Sequence, residues 1–216
     1  MKRYGSTADP QGLLFDIDGT LYDHPAYMAS HAQVLTEQLA MELGRSYDEV
    51  RQEVRAVRDR IAVQAGRTPS LANTFLEFGI DMERNVAWRS RLLKPERYLE
   101  RDPRLADTLE RLAGRYRLAA LTNNPADIAH RTLECLGVGG LLPRIVALDD
   151  TYVSKPDPAP FLAGLRVLEL APAEVVMIGD RYDVDIAPAL EIGMSGILAE
   201  GVADVYALPE TLFRAG

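Results

Sequence analysis

The sequence predicts an α/β protein in which a parallel β-sheet is covered by helices on both faces and carries an all-helical insert. Two observations support this fold class. From Pro103 onward, short apolar runs alternate with helical patterns, which is typical of parallel strands joined by helices. Between Tyr22 and Leu93 the pattern is helical throughout, and no strand is predicted. We therefore expect a Rossmann-like three-layer core with a helical block inserted after its first strand.

The insert follows a short first strand, predicted at residues 13–15. Gly44 ends the first helix of the insert, and residues 66–70 read as a loop because they combine Gly, Thr, Pro and Ser. The apolar positions at helical spacing are Val34, Leu35, Leu39 and Leu43, then Val50, Val54, Val57 and Ile61, then Leu71, Phe75 and Phe78, and finally Val86, Trp88 and Leu92.

After the insert, four more strands are predicted, at 116–121, 144–148, 175–178 and 196–199. Helical patterns separate these strands and follow Leu105, Leu109 and Leu112, then Ile128, Leu133 and Leu136, then Phe161, Leu165 and Leu168, and finally residues 186–192. The predicted domains are an α/β core formed by residues 1–22 and 93–216, and a helical insert formed by residues 23–92.

Composition limits the classes of function. The chain has 216 residues, is 47% apolar and 26% charged, and has a net charge of −8. This charge argues against nucleic acid or an anionic membrane as partner, but a few local cations could still bind a small anion. Cys135 is the single cysteine, so we expect it to pack in a helix rather than form an internal disulfide. With no membrane-spanning apolar run and no signal-peptide pattern in residues 1–10, the expected location is the cytoplasm.

The most informative stretch is the end of the first strand, where Asp16 and Asp18 flank Ile17 and precede Gly19. Side chains two residues apart in a strand share a face, so both carboxylates would point the same way. At the carboxyl end of a parallel strand they would lie where α/β folds bind ligands. Taken alone, residues 13–20 are explained equally well by a strand followed by an ordinary Asp-Gly turn.

Three further polar signals follow the predicted strands. Thr122 and Asn123 precede a helix and could bind phosphate, although Asn-Asn-Pro is also a common helix cap. Lys155 lies between helix-stopping residues, where a lysine is usually a solvated charge but could hold an anion. The apolar strand at 175–178 is followed by Asp180 and Asp185, which suit Mg²⁺ or, more simply, the first turn of a helix.

Taken together, these residues resemble the four ordered motifs of the haloacid dehalogenase superfamily. The stretch Asp16-Ile17-Asp18-Gly19-Thr20 is similar to its first motif, Thr122 to its second and Lys155 to its third. Gly179-Asp180 with Asp185 is similar to the fourth. The helical insert resembles the first type of cap in that superfamily. The resemblance runs from Gly12 to about Ala199 and rests on the order of the set, because the second motif is weak alone.

The resemblance implies roles for the residues of the site. Asp16 would attack phosphorus and become an aspartyl phosphate, and Asp18 would protonate the leaving oxygen and later deprotonate the hydrolytic water. Thr122 and the amide of Asn123 would bind the phosphoryl oxygens. Lys155 would hold the nucleophile and the phosphoryl group together against their repulsion.

The same resemblance implies a Mg²⁺ site. Its ligands would be the carboxylates of Asp16 and Asp180 and the backbone carbonyl of Asp18. Asp185 would orient metal-bound water or the catalytic lysine rather than bind the metal directly, and Asp183 is its rival for this supporting role.

The predicted function is hydrolysis of a small phosphomonoester. A 2-haloacid dehalogenase is one alternative, but such enzymes need no metal and typically lack the second acid of the first motif, here Asp18. A phosphomutase is another, although such enzymes often carry Glu-Asp where this chain has Gly179-Asp180. A non-catalytic binding module is disfavoured because both Asp16 and Asp180 are present.

The substrate is less defined than the reaction. The layout is similar to pyrimidine nucleotidase-like and to phosphoglycolate phosphatase-like members, so a nucleotide, phosphoglycolate or a sugar phosphate all fit. We expect the partner to be a small phosphorylated metabolite and the protein to be a monomer or homodimer, with Trp88 either in the cap core or at a dimer contact. The polar cap residues that could face the site, although ordinary surface positions are the simpler interpretation, are His24, Tyr27, Arg60 and Arg67.

Overall fold

Six strands form a single sheet in the structure, a computed structural model that describes residues 1–5 and 9–212. The strands are β1 (Lys2–Tyr4), β2 (Gly12–Phe15), β3 (Arg117–Leu121), β4 (Ile145–Val146), β5 (Val175–Gly179) and β6 (Ser195–Leu198). Their order is β1-β6-β5-β2-β3-β4. The five strands from β6 to β4 run parallel, as the sequence predicts, and β1 adds an antiparallel edge. Residues 6–8 and 213–216, which fall within the N-terminal stretch and the predicted core, lie outside the described ranges.

The central strand β2 pairs with β3 on one side and with β5 on the other. Phe15 is aligned with Ala120 of β3 and with Ile178 of β5, so all three strands end at the same edge. The chain continues from β2 to β3 and β4 on one side of β2, and then crosses to β5 and β6 on the other side. Open α/β sheets bind ligands at the edge where the strand order reverses in this way. The register therefore brings the residues after β2, β3 and β5 together.

Helices cover both faces of the sheet. Leu13 and Phe15 point to one face, and Leu14 points to the other, as alternation along a strand requires. The helices of the core are α5 (Pro103–Ala113), α6 (Ala126–Leu136), α7 (Leu148–Thr151), α8 (Pro158–Leu168), α9 (Ala187–Glu191), α10 (Val202–Tyr206) and α11 (Leu208–Leu212). Both faces are thereby removed from water, which explains why the strands are apolar without alternation.

The insert between β2 and α5 contains four helices: α1 (Pro25–Leu43), α2 (Tyr47–Ala65), α3 (Leu71–Leu76) and α4 (Met82–Leu92). Gly44 ends α1 in the left-handed conformation, as expected from the sequence. Ser46 then caps α2 in a capping box with Glu49. These helices share an apolar cluster of their own, in which Phe75 packs edge-on against buried Trp88. Trp88 therefore belongs to the interior of the cap.

The structure differs from the sequence prediction at several places. The predicted strand at 144–148 is shorter, because the chain already enters α7 at Leu148. The predicted helix at 186–192 corresponds to α9, and a π-helical turn, Tyr182–Ile186, precedes it. Strand β1 and the helices α10 and α11 have no counterpart among the predicted elements. Over the described residues, none of the helices is long and apolar enough to cross a membrane.

Candidate active site

The site lies where β2 ends and the chain turns at Gly19. Gly19 has a positive φ of 88°, and a Cβ at this position would lie 2.6 Å from Oδ2 of Asp180. Only glycine combines this backbone conformation with such a close approach. The turn at Gly19 thus lies directly beside Asp180, in the loop that follows β5.

Lys155 joins three parts of the core in one set of hydrogen bonds. Its Nζ donates to Oδ1 of Asp16 at 2.6 Å, to Oδ1 of Asp185 at 2.7 Å and to the carbonyl oxygen of Leu121 at 3.0 Å. The side chain is only 1% exposed. An ammonium group has three donors, and all three are used. Lys155 is therefore a fixed internal cation, and the interpretation as a solvated loop charge is wrong.

Asp185 is also fixed by its neighbours. Its Oδ2 accepts a hydrogen bond from the backbone N–H of Arg181 at 3.2 Å, while its Oδ1 accepts from Lys155. Gly179 permits this arrangement, because a Cβ there would lie 2.5 Å from Cβ of Asp185. Both oxygens of the buried Asp185 thus have partners, which agrees with the supporting role predicted for it.

Asp18 points away from this cluster. Its Oδ1 accepts a hydrogen bond from the hydroxyl of Tyr22 at 2.6 Å. Its Oδ2 accepts from Oγ1 of Thr122 at 3.2 Å and from Nδ2 of Asn124 at 2.9 Å. Three donors therefore hold the Asp18 carboxylate in one orientation at the mouth of the site.

The loop after β3 contributes in two ways. The hydroxyl of Thr122 lies beside Asp18, where it also accepts a hydrogen bond from the backbone N–H of Asn124 at 3.0 Å. The side chain of Asn123 instead pairs with the backbone of Lys155: its Oδ1 accepts from the N–H at 2.7 Å, and its Nδ2 donates to the carbonyl at 3.1 Å. The side-chain amide of Asn123 therefore positions the lysine loop.

Negative charge is in excess at the centre of the site. Burial raises the pKa of Asp16 to about 7, because the nearby charge of Lys155 offsets the loss of hydration only in part. Burial, and then repulsion by Asp185, raises the pKa of Asp180 to about 6. For Lys155, burial lowers the pKa, but the attraction of Asp16 and Asp185 outweighs it and the net direction is upward. One lysine thus faces several carboxylates.

The donor set fits a hard divalent cation. Carboxylate oxygens of Asp16, Asp180 and Asp185 lie within 4.8 Å of one another. Oδ1 of Asp180 is buried and has no hydrogen-bond partner among the described residues, which is a costly state for a carboxylate oxygen. Oxygen ligands in this number and charge are those that Mg²⁺ prefers. A cation here would compensate both the unpaired oxygen and the excess negative charge.

Hydrogen bonds between the insert and the core form two seams beside the site. At one seam, Ser70 hydrogen-bonds Ser154, the neighbour of Lys155, at 2.9 Å. Near it, the backbone N–H of Thr68 donates to Oδ2 of Asp183 at 3.2 Å. Asp183 therefore contacts the insert, whereas Asp185 contacts the lysine. This geometry favours Asp185 over its rival for the supporting role.

At the second seam, residues of α4 meet the loop after β3. Arg89 donates from Nη1 to Oδ1 of Asn124 at 2.7 Å, and Ser90 donates to Oδ1 of Asp127 at 2.7 Å. Burial lowers the pKa of Arg89 to about 10, against the nearby carboxylate charge of Asp18, which acts to raise it. The sequence alone does not single out Arg89, because in a helix with several arginines a buried one has the same local pattern as an exposed one.

The polar cap residues noted from the sequence fall into two groups. His24 caps α1 by accepting a hydrogen bond from the backbone N–H of Tyr27 at 3.2 Å. Arg60 and Arg67 are exposed, and Arg60 pairs with Glu77. Tyr27 is fully buried, stacked against Tyr98 with ring centroids 5.1 Å apart, so its interpretation as an ordinary surface residue is wrong.

Two further residues of the site were not predicted to act in it. Thr20 donates to Oδ2 of Asp16 at 3.2 Å, so both oxygens of Asp16 are held. Tyr22 donates to Asp18, as described above. The spacing of four residues from Asp16 to Thr20 and from Asp18 to Tyr22 is the sequence signal that could have identified both.

Most of the chain is similar to proteins of known family. A family model described as haloacid dehalogenase-like hydrolase matches residues 10–193. The phosphoglycolate phosphatase of Aquifex aeolicus (strain VF5) is 27% identical over 193 residues, which cover 87% of this chain and 83% of that protein. The match therefore includes the insert as well as the sheet.

Solved structures show the same arrangement. A HAD phosphatase from Thermococcus onnurineus has a TM-score of 0.60 and 25% identity, covering 94% of this chain and 97% of that one. A 2-haloacid dehalogenase from Pseudomonas syringae pv. Tomato DC3000 has a TM-score of 0.59 and 26% identity, covering 96% and 100%. Proteins with two different reactions thus share this fold, so the side chains of the site must distinguish between them.

Proposed function

The chain belongs to the haloacid dehalogenase-like hydrolases, and we propose that it is a Mg²⁺-dependent phosphatase that hydrolyses a small phosphomonoester through an aspartyl phosphate on Asp16. The observation that carries this proposal is the pairing of two differently held carboxylates. Asp16 is bound to Lys155, and Asp18 is bound to Tyr22, Thr122 and Asn124. Two carboxylates in separate environments can perform separate tasks.

Asp16 is the nucleophile in this proposal. Lys155 and Thr20 hold one oxygen each, so the carboxylate is oriented before substrate arrives. The lysine also reduces the repulsion between an anionic nucleophile and an anionic phosphate. In the first half-reaction an oxygen of Asp16 forms a bond to phosphorus while the bond from phosphorus to the leaving oxygen breaks.

Asp18 is the general acid and base. Its carboxyl group delivers a proton to the leaving oxygen in the first half-reaction and takes one from water in the second, so the proton balance closes over one turnover. We propose that Thr122 and the backbone amide of Asn123 bind the phosphoryl oxygens, since Thr122 lies beside Asp18 at the start of the loop preceding α6.

Mg²⁺ would be held by Asp16 and Asp180 and by the backbone carbonyl of Asp18, with Asp185 supporting the site through Lys155. When bound, the cation neutralises charge on the phosphate and on the carboxylates around it. Oδ1 of Asp180 supports this assignment, because it is a buried carboxylate oxygen with no hydrogen-bond partner among the described residues.

The insert is the cap of the enzyme in this proposal, with the boundaries predicted from the sequence, residues 23–92. A small phosphorylated metabolite is the expected substrate, and phosphoglycolate is one candidate because a relative of this chain is a phosphoglycolate phosphatase. A 2-haloacid dehalogenase is the less favoured hypothesis, since such enzymes need no metal and typically lack the second acid of the first motif, here Asp18. The cytoplasmic location and the choice between monomer and homodimer stay predictions.

The test is release of inorganic phosphate from p-nitrophenyl phosphate, nucleoside monophosphates, phosphoglycolate and sugar phosphates, with Mg²⁺ and with EDTA. We expect release that requires Mg²⁺, and the preferred compound identifies the substrate class. No release from any of these compounds, together with chloride release from a 2-haloacid in EDTA, would establish the dehalogenase reaction instead.

A further inference from the structure

Arg89 is a buried cation in the last helix of the cap, and it has an unusual environment. Its side chain is 7% exposed, and among the described residues its hydrogen bond goes to a neutral amide, that of Asn124, rather than to a carboxylate. Its Nε is buried and has no hydrogen-bond partner there. A buried charge is costly unless it is compensated. The burial of Arg89 therefore has a cost that its hydrogen bond to a neutral amide offsets only in part.

The group that Arg89 faces connects directly to Asp18. Oδ1 of Asn124 accepts from Arg89 at 2.7 Å, and Nδ2 of the same amide donates to Oδ2 of Asp18 at 2.9 Å. Arginine can only donate, so it requires the amide oxygen on its side and leaves the NH₂ group facing the carboxylate. Without Arg89, the amide could rotate and turn its oxygen toward Asp18, where two acceptors would repel each other.

This chain of hydrogen bonds crosses from the cap to the core. Arg89 lies on α4, whereas Asn124 and Asp18 lie on the loops after β3 and β2. The other donors to Asp18, Tyr22 and Thr122, are not part of the four cap helices. Tyr22 also contacts α1, through Sδ of Met28 at 3.5 Å and the ring of Tyr27. The bond from Arg89 to Asn124 is the hydrogen bond by which a charged residue of the cap reaches a donor to Asp18.

We propose that Arg89 is a positioning residue that fixes the amide of Asn124, and through it the Asp18 carboxyl group, when the cap is docked on the core. This role rests on the proposed function, in which Asp18 protonates the leaving group. The hydrogen bond of Arg89 goes to Asn124, whereas the nucleophile Asp16 is held by Lys155 and Thr20. Loss of Arg89 should therefore impair proton transfer selectively, while attack by Asp16 remains intact.

The experiment compares two leaving groups in Arg89→Met, a variant that removes the charge and donors but keeps an unbranched side chain. For alkyl phosphates such as phosphoglycolate, the leaving oxygen needs a proton, so kcat/KM should fall about 10- to 100-fold. For p-nitrophenyl phosphate, whose leaving group departs readily as an anion, kcat/KM should fall only about 2- to 3-fold. Equal falls for the two substrates, or no fall, would overturn the proposal.

Three controls keep the result specific. Arg91→Met changes an exposed arginine of the same helix that binds Gln38, and it should leave both substrates unaffected. Arg89→Lys retains the charge and a donor, so it should recover part of the lost alkyl phosphatase activity. In an Asn124→Leu background, Arg89→Met should have little additional effect, because the two residues act through one hydrogen bond.

The outcomes separate this role from the proposed function. If the wild-type protein hydrolyses neither substrate, the proposed function fails and this role fails with it. If the wild type hydrolyses both and Arg89→Met loses them equally, only the role of Arg89 fails. If thermal unfolding shows that Arg89→Met does not fold, the ratio of kcat/KM for phosphoglycolate to kcat/KM for p-nitrophenyl phosphate is measured in Arg89→Lys instead. Reduced activity of Arg89→Lys with the wild-type ratio would overturn the proposal.

Discussion

Two buried cations among the described residues, Lys155 and Arg89, show how differently the core and the cap seam are built. Lys155, in the core, donates to two carboxylates and one carbonyl, so every donor has a partner. Arg89, at the seam, binds one neutral amide, and its Nε has no hydrogen-bond partner among the residues that the structure describes. The core site is thus organised by its own residues, whereas the seam depends on how two groups of helices meet.

The difference follows from what each cation must do. Lys155 faces Asp16, where the proposed chemistry begins, and preorganised charge there reduces the barrier of every turnover. Arg89 faces a residue that only orients Asp18, and it is held at the seam by a single hydrogen bond to an amide. We therefore expect changes in the core to affect all substrates and changes at the seam to depend on the leaving group.

The largest effect is expected for Asp16→Asn in the core. Removing the nucleophile should reduce kcat by about four orders of magnitude or more for every phosphate ester, while circular dichroism and thermal unfolding remain close to those of the wild type. Phosphate release in single and multiple turnovers measures this. Substantial activity in the variant would show that another group attacks phosphorus.

Lys155→Ala should have the next largest effect. Loss of the cation should reduce kcat about 10²- to 10³-fold, and by the same factor for alkyl and aryl phosphates, because the lysine acts on the nucleophile and the phosphoryl group rather than on the leaving group. The ratio of the two rates is the decisive measurement. A ratio as distorted as that expected for Arg89→Met would remove the distinction between the two cations.

A third prediction concerns the carboxylate cluster without any reaction. Mg²⁺ at about 100 times its dissociation constant should stabilise the protein by about 2.7 kcal/mol. For a chain of this size, that corresponds to a rise in Tm of roughly 5 to 10 °C. Differential scanning calorimetry measures the shift. Asp180→Asn is the matched variant, because its shift should be strongly reduced; an equal shift in both proteins would place the cation elsewhere.

The smallest effect is expected for Ser90→Ala, which removes the other seam bond of α4, from Ser90 to Asp127. This contact is exposed, so its loss should cost at most about 1 kcal/mol of stability and change kcat/KM less than about 2-fold for both leaving groups. Thermal unfolding and the same pair of substrates measure the two quantities. A leaving-group effect as large as that of Arg89→Met would assign the coupling to the seam in general.

The sequence by itself determined the α/β class, the five parallel strands and the helical nature of the insert, because apolar periodicity is a local property of the chain. It also gave the order of the polar residues at the strand ends, on which the proposed site of Asp16, Asp18 and Asp180 depends. Strand β1 escaped prediction because Lys2 and Arg3 are exposed and only pairing with β6 makes them a strand.

Only the tertiary structure decided which polar side chains work together. Sequence patterns could not distinguish buried Lys155 from a solvated loop lysine, or buried Arg89 from the exposed Arg91 two residues later. Burial and partners are set by segments far apart in the chain: 139 residues separate Lys155 from Asp16, and 35 separate Arg89 from Asn124. The first of these bonds forms only when the core has folded, and the second only when α4 packs against the loop after β3, so no local pattern records them.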